Sequence, residues 1–282
     1  MKFQLKAIAA ALALAVTLPA HAAIDKAVTG NGSLVLTLLD RIGTISATFD
    51  LGKNYSDFSV SPNVAANTSV NGGFLPSGVD APGTSFSWNL TQGDYAAAWT
   101  SFLSVGTLVN TTWGVLAGDV TGSGAGGRGY VTTAALGAGT PISSSAVSTD
   151  VGQLDVYLSA VNFDPNNLVT TQTTAANGGS TAIAGQSYAG SAVIAADGAL
   201  SGKGPITMNA IGLDSRVIQL SSTTSTGQAN QYTFANNAHF NLSSTGLLTY
   251  STVAAPVPEA DTWAMMFMGL GLMGFIARRK QS

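Results

Sequence analysis

Few side chains in this sequence can do covalent or metal chemistry. Cysteine is absent, and the histidines are His21 and His239. A serine or threonine nucleophile needs a base beside it. Beyond residue 22 only His239 could serve, and no Gly-x-Ser-x-Gly elbow occurs. A single histidine without cysteine is too few ligands for zinc. Asp155, Asp164, Asn166 and Asn167 offer the oxygens a hard cation prefers, but they do not follow the spacing of a calcium loop, and Asp-Pro-Asn-Asn equally ends a helix. Asp94, Asp119, Asp150 and Asp155 could supply a paired-carboxylate glycosidase, yet no spacing singles out a pair. No enzyme activity is expected.

Gly122-Ser123-Gly124-Ala125-Gly126-Gly127 matches G-x-G-x-x-G after a predicted strand. A dinucleotide loop would start a helix at its last glycine. Arg128-Gly129-Tyr130-Val131 returns to strand instead, so the stretch reads as a hairpin loop and no cofactor is expected. Trp88, Tyr95, Trp99 and Trp113 could stack on sugars, but their strand and helix spacing places them in a core. Asn-x-Ser/Thr triplets begin at Asn31, Asn54, Asn67, Asn89, Asn110 and Asn241, as chance allows where Ser and Thr abound.

The elements that must position these residues are mostly strands. Ser33 to Leu39 and Gly43 to Phe49 are β-rich and joined by Asp40-Arg41-Ile42, with Asp50-Leu51-Gly52 closing the second strand. Ser85 to Leu90 alternates and should bury Phe86, Trp88 and Leu90. Tyr95, Trp99, Phe102 and Leu103 fall at helical spacing behind Asp94, a reasonable N-cap. Thr112 to Asp119 and Tyr130 to Ala134 are strand-like. Val147, Val151, Leu154, Leu158 and Val161 predict a second helix over 144–161 that stops before Asp164-Pro165. Residues 171–204 are rich in Gly, Ala and Ser and read as loops and weak strands. Ser215 to Ser221, Gln231 to Phe234, His239 to Leu242 and Gly246 to Thr252 are the closing strands. The expected fold is mainly β: one β-sandwich-like body with two short helices.

Composition bounds the partners. Between residues 23 and 254 stand six basic residues (Lys26, Arg41, Lys53, Arg128, Lys203, Arg216); the chain's 14 acidic residues, less Glu259 and Asp261, leave twelve aspartates there. A mildly acidic body does not attract nucleic acid or anionic lipid.

Both ends differ from the middle. Residues 1–22 read as a signal peptide: Lys2 and Lys6, the apolar stretch Ala7 to Leu18, then Ala20-His21-Ala22 as a small-x-small site cut between Ala22 and Ala23. That predicts the Sec translocon and signal peptidase as partners. Residues 255–282 hold a short box (Val257, Pro258, Glu259, Ala260), an apolar run from Trp263 through Gly269, Gly271 and Gly274 to Ala277, and a basic stop, Arg278, Arg279 and Lys280. A run of about 15 residues falls short of the ~20 of a comfortable spanning helix. It lacks the polar face of a surface helix, its glycines suit a membrane helix, and the basic cluster favours the cytoplasmic side. A C-terminal hydrophobic helix is expected, with the body, residues 23–254, outside the inner membrane.

Val257-Pro258-Glu259, Thr262-Trp263-Ala264, Gly269-Leu270-Gly271-Leu272, Gly274-Phe275 and Ala277-Arg278-Arg279-Lys280 resemble the PEP-CTERM sorting signal of Gram-negative bacteria. That box usually reads Pro-Glu-Pro; here Ala260 stands in place of the second proline. The resemblance implies that exosortase, a membrane-embedded transpeptidase-like enzyme, processes the tail, and that export is linked to exopolysaccharide and biofilm. The order of Asp50-Leu51-Gly52, Phe86-Ser87-Trp88, Trp113 to Asp119 and Tyr130 to Thr133 also resembles bodies of such exported proteins and implies no activity. The resulting expectation is a non-enzymatic protein, anchored transiently in the inner membrane by its C-terminus, then placed at the cell surface or in the matrix. A carbohydrate-binding adhesin and an aspartate-based glycan hydrolase are the alternatives.

Overall fold

In the computed structural model, the described residues are 23–59, 69–70, 79–120, 128–134, 142–171, 178–192, 208–222, 226–234 and 237–253. The predicted leader (1–22), the Gly122–Gly127 loop and the tail (255–282) lie outside them.

Strand β1 (Ser33–Asp40) explains the architecture. All eight of its residues are buried, because both faces are covered. Leu34, Leu36 and Leu38 point into one core; Val35 and Leu39 point into a second core on the opposite face. The period of two thus serves two cores from one strand. β2 (Ile45–Asn54) pairs with one edge of β1 and β5 (Thr111–Asp119) with the other.

The remaining strands extend this centre. They are β3 (Ser69–Val70), β4 (Ser85–Asn89), β6 (Arg128–Ala134), β7 (Val169–Thr170), β8 (Gly179–Ile183), β9 (Asn209–Ala210), β10 (Asp214–Ser222), β11 (Asn230–Phe234), β12 (His239–Leu242) and β13 (Leu247–Ser251). They form one sheet in the order β4-β13-β12-β10-β6-β5-β1-β2-β8-β7, with β11 and β9 added on β10 and β5. Pairing is antiparallel except where β3 joins β11.

The sheet curls. Trp88 of β4 donates Nε1–H to the Leu51 carbonyl of β2 at 2.8 Å, and the Lys53 ammonium lies 4.8 Å above the Phe86 ring. Six strands separate β4 from β2 along the sheet, so these contacts require a half-barrel. Its concave side holds Phe49, Phe58, Trp113, Phe240 and Tyr250. Helix α1 (Ala96–Val105) fills the mouth against β2 and β8 through Ala98, Trp99 and Phe102. The convex side carries the second core under α2 (Ser144–Phe163), helped by Tyr188 and the one-turn α3 (Ala189–Ala192). Among the described residues no helix is long and apolar enough to cross a membrane.

The mainly-β body with two principal helices matches the sequence reading, and so does the end of α2 before Asp164. Three details differ. A sandwich needs two sheets; here a single sheet curls, and a helix covers its second face. Alternation in a strand reveals which faces are buried but not what buries them. Asp94 sits in a 3-10 turn (Gly93–Tyr95) and does not cap α1, which begins at Ala96 without a side-chain cap; of the residues at helical spacing, Tyr95, Trp99 and Phe102 are buried and Leu103 is exposed. Within 171–204, β8 is a well-buried strand and not a weak one. Its small residues are required by close packing: a Cβ on Gly179 would lie 2.8 Å from Phe49 and 2.9 Å from Ala98. Thr181 there donates Oγ1–H to the Ala98 carbonyl of α1 at 2.9 Å.

The β1–β2 connection is built on Asp40. Its Oδ1 accepts the amides of Ile42 and Gly43, each at 2.9 Å, and its Oδ2 accepts that of Thr107 at 2.8 Å. One buried carboxylate therefore joins the hairpin to the segment after α1. Asp40→Ala orphans three backbone donors and is expected to cost about 2–4 kcal/mol. Urea unfolding checks this; a change below about 0.5 kcal/mol would show that water replaces the carboxylate without loss.

Candidate functional site

The sequence left His239 without a partner, and the fold supplies one. His239 and Ser251 are directly opposite on β12 and β13. Nδ1 lies 2.6 Å from the Asn237 carbonyl oxygen, which can only accept, so this nitrogen carries the proton. Nε2 is then free to accept from Ser251 Oγ at 3.1 Å. A base, its orienting group and a hydroxyl are thus in line, as nucleophilic catalysis requires. The arrangement stops there. Ser251 lies in a strand paired on both sides, with His239 and with Ser85, so its backbone is committed to the sheet and does not form an exposed elbow. Asp214 Oδ2 approaches the same Nε2 at 3.9 Å, where a triad would place its carboxylate at Nδ1. Asp214 Oδ1 meanwhile accepts from Asn241 Nδ2 at 2.7 Å. Ser251 had no sequence signal, because its pairing with His239 depends on a register twelve residues apart.

Asp119 and Asp155 are engaged separately: Asp119 Oδ1 accepts the Asn31 amide at 3.3 Å, and Asp155 Oδ2 accepts the Val28 amide at 2.9 Å. Asp94 lies in the 3-10 turn, where its main-chain carbonyl accepts from Thr171 Oγ1. Asp150 lies on the buried face of α2, and burial pushes its carboxyl up to about 7. Asp164 Oδ1 accepts from the backbone and side chain of Asn166. Asn167 joins the helix end to β8 and the following turn through Val161 O, Ser180 Oγ and Ser187 Oγ. Asp164 Oδ1 and the Asn167 side chain are thus spent on a turn and a docking contact. Among the described residues no group of three or more His, Asp or Glu side chains is placed to hold a metal.

The aromatic residues face inward. Trp113 is fully buried; Tyr95 and Trp99 are nearly so, and Trp88 is half-buried. Tyr95 Oη donates to the Asp50 carbonyl at 2.7 Å. Phe86, Trp88, Phe240 and Tyr250 pack on one another, with ring centroids 5.0 to 6.2 Å apart; Phe86 and Tyr250 are stacked and the other pairs tilted. Rings used this way leave no flat sugar platform at Trp88, Tyr95, Trp99 or Trp113.

What decides the assignment lies in the tail. Box, apolar run and basic stop fall within a match to a family model, described as the PEP-CTERM protein-sorting motif, that spans residues 256–280. This segment is the C-terminal sorting signal of exosortase substrates. It implies export, a membrane-associated sorting step and exosortase as a partner. No curated protein and no solved structure matches the chain.

Proposed function

We propose that the protein is a non-enzymatic surface or extracellular-matrix component. In this reading it is exported with the help of residues 1–22 and cut by signal peptidase between Ala22 and Ala23. Its tail then holds it in the inner membrane until exosortase cuts near Val257-Pro258-Glu259, and the body passes to the cell surface or an exopolysaccharide matrix. The sorting motif at residues 256–280 carries the reading. The body supports it by how it uses its polar groups: Asp40, Asp164, Asn167 and the ring nitrogens of His239 all hold internal bonds. Ile24 also fits a mature chain starting at Ala23. It is buried, and Asn162 clamps its main chain, accepting its amide at 3.1 Å and donating to its carbonyl at 2.9 Å.

The experiment is the intact mass of the protein from its native host, in membrane and extracellular fractions. A product that begins at Ala23 and ends near Val257 is expected outside the membrane, and any added mass reports what its new C-terminus is joined to. A chain that retains Trp263 to Ser282 in all fractions would make this a plain anchored protein and remove the main support for a matrix role.

A further inference from the structure

Asp150 is an aspartate of the described body with both carboxylate oxygens buried and without a hydrogen-bond partner. It sits among Val147, Val151 and Leu154 on the face that α2 presses against the sheet. Asp150 is fully buried, and among the described residues neither carboxylate oxygen has a hydrogen-bond partner. Opposite it on β6, the hydroxyl of fully buried Tyr130 lacks one too. The contact around them is tight: a Cβ on Gly118 of β5 would already touch Val151 and Leu154 at 3.5 Å. A bare carboxylate in such a place is far costlier than the neutral acid, which has no charge to desolvate.

We propose that the helix–sheet contact of α2 is a proton-dependent latch: α2 is held on β6 and β10 while Asp150 carries a proton, and it loosens when that proton is lost. On β6, packed against α2, Tyr130 senses Asp150: its own ionisation is pushed up by burial and by that carboxyl. Asp119 ends β5 on the Asn31 amide, and Asp214 and Arg216 stand at the far end of β10, paired with β12. Tyr188, before α3, faces Arg41 and Asp40. On α2 itself, Asp155 holds Val28 and Tyr157 holds Thr48. None of these enters the cause of the Asp150 shift, which is burial.

The sign follows from the proton being bound more tightly in the packed state than in the open one. Burial moves the carboxyl from 3.8 to about 7. The opening equilibrium therefore rises about tenfold per pH unit across that window and is flat on either side. Between pH 4.5 and 7.5 the opening of α2 should increase roughly a hundredfold or more.

Hydrogen exchange on the full-length chain in mild detergent reads this directly. After correction for the intrinsic pH dependence of exchange, protection of amides over residues 147–158 is expected to fall about a hundredfold from pH 4.5 to 7.5, with β1 unchanged. Asp150→Asn removes the charge at nearly constant shape and should flatten the profile. A flat wild-type profile, or an Asn variant that keeps the slope, overturns the proposal. Should that variant fail to fold, a carboxyl carbon-13 titration of the wild type decides: a midpoint near 7 supports the latch and one near 4 overturns it.

Discussion

Replacing both Pro258 and Glu259 with alanine is expected to leave the entire population as a membrane-held chain still carrying Trp263 to Ser282. The substitution leaves the apolar run and the basic stop intact, so it separates recognition from anchoring. The run of about 15 residues covers about 22 Å as a helix, against ~30 Å of hydrocarbon. Such a segment holds only with help from its flank, where Arg278, Arg279 and Lys280 resist passage through the bilayer. In the proposed reading, a short anchor suits a tether that is meant to be cut. Neutralising the three basic residues should therefore give a different outcome, with the chain no longer retained at the membrane and the box uncut. Membrane fractionation followed by intact mass distinguishes the two. If the box variant is still trimmed near Val257, exosortase does not read Pro258-Glu259, and a general protease is the agent. Ala260 in place of the usual proline makes the comparison informative, because Ala260→Pro should raise the processed fraction if recognition is limiting.

The tail was legible because everything that defines it is local: a turn-forming acidic box, a run without a polar face, and a charge cluster. The same holds for α2, whose valines and leucines recur at one helical spacing and whose end is set by Asp164-Pro165. β1 was legible as a strand but not as the centre of a half-barrel. Its leucines and valine, interrupted only by Thr37, leave neither face polar, and only the pairing of distant strands shows that one cover is the sheet itself. β8 was obscured for a related reason. Gly179, Ser180 and Thr181 are small or polar by composition, and the need for smallness comes from Phe49 and Ala98, which are far away in sequence. The His239–Ser251 contact depends on the same kind of information. Even the terminal-strand contact of Trp88 with Leu51 spans 37 positions, beyond the reach of any periodicity.

Trp113→Ala is expected to be the most damaging single substitution in the body, and Trp88→Ala the informative comparison. Both indoles donate Nε1–H to a backbone carbonyl: Trp113 to Ala210 at 3.0 Å, Trp88 to Leu51 at 2.8 Å. They differ in burial and position. Trp113 is fully buried in β5, directly opposite Leu38 of β1, and its bond secures β9. Removing it leaves a cavity in the concave core and an orphaned carbonyl, for a loss of about 4–6 kcal/mol. Against the 5–15 kcal/mol typical of a folded domain, that is a large share. At roughly 2–4 °C per kcal/mol for a chain of this size, Tm should fall by about 10–20 °C. Trp88 is half-buried on the terminal strand, and its alanine variant should cost only about 1–3 kcal/mol while freeing β4 from β2. Hydrogen exchange would then report faster opening confined to β4 and β13. Thermal unfolding ranks the two. If Trp88→Ala proves as costly as Trp113→Ala, the half-barrel owes its stability to the contact that closes its curl, and the concave core alone does not sustain it.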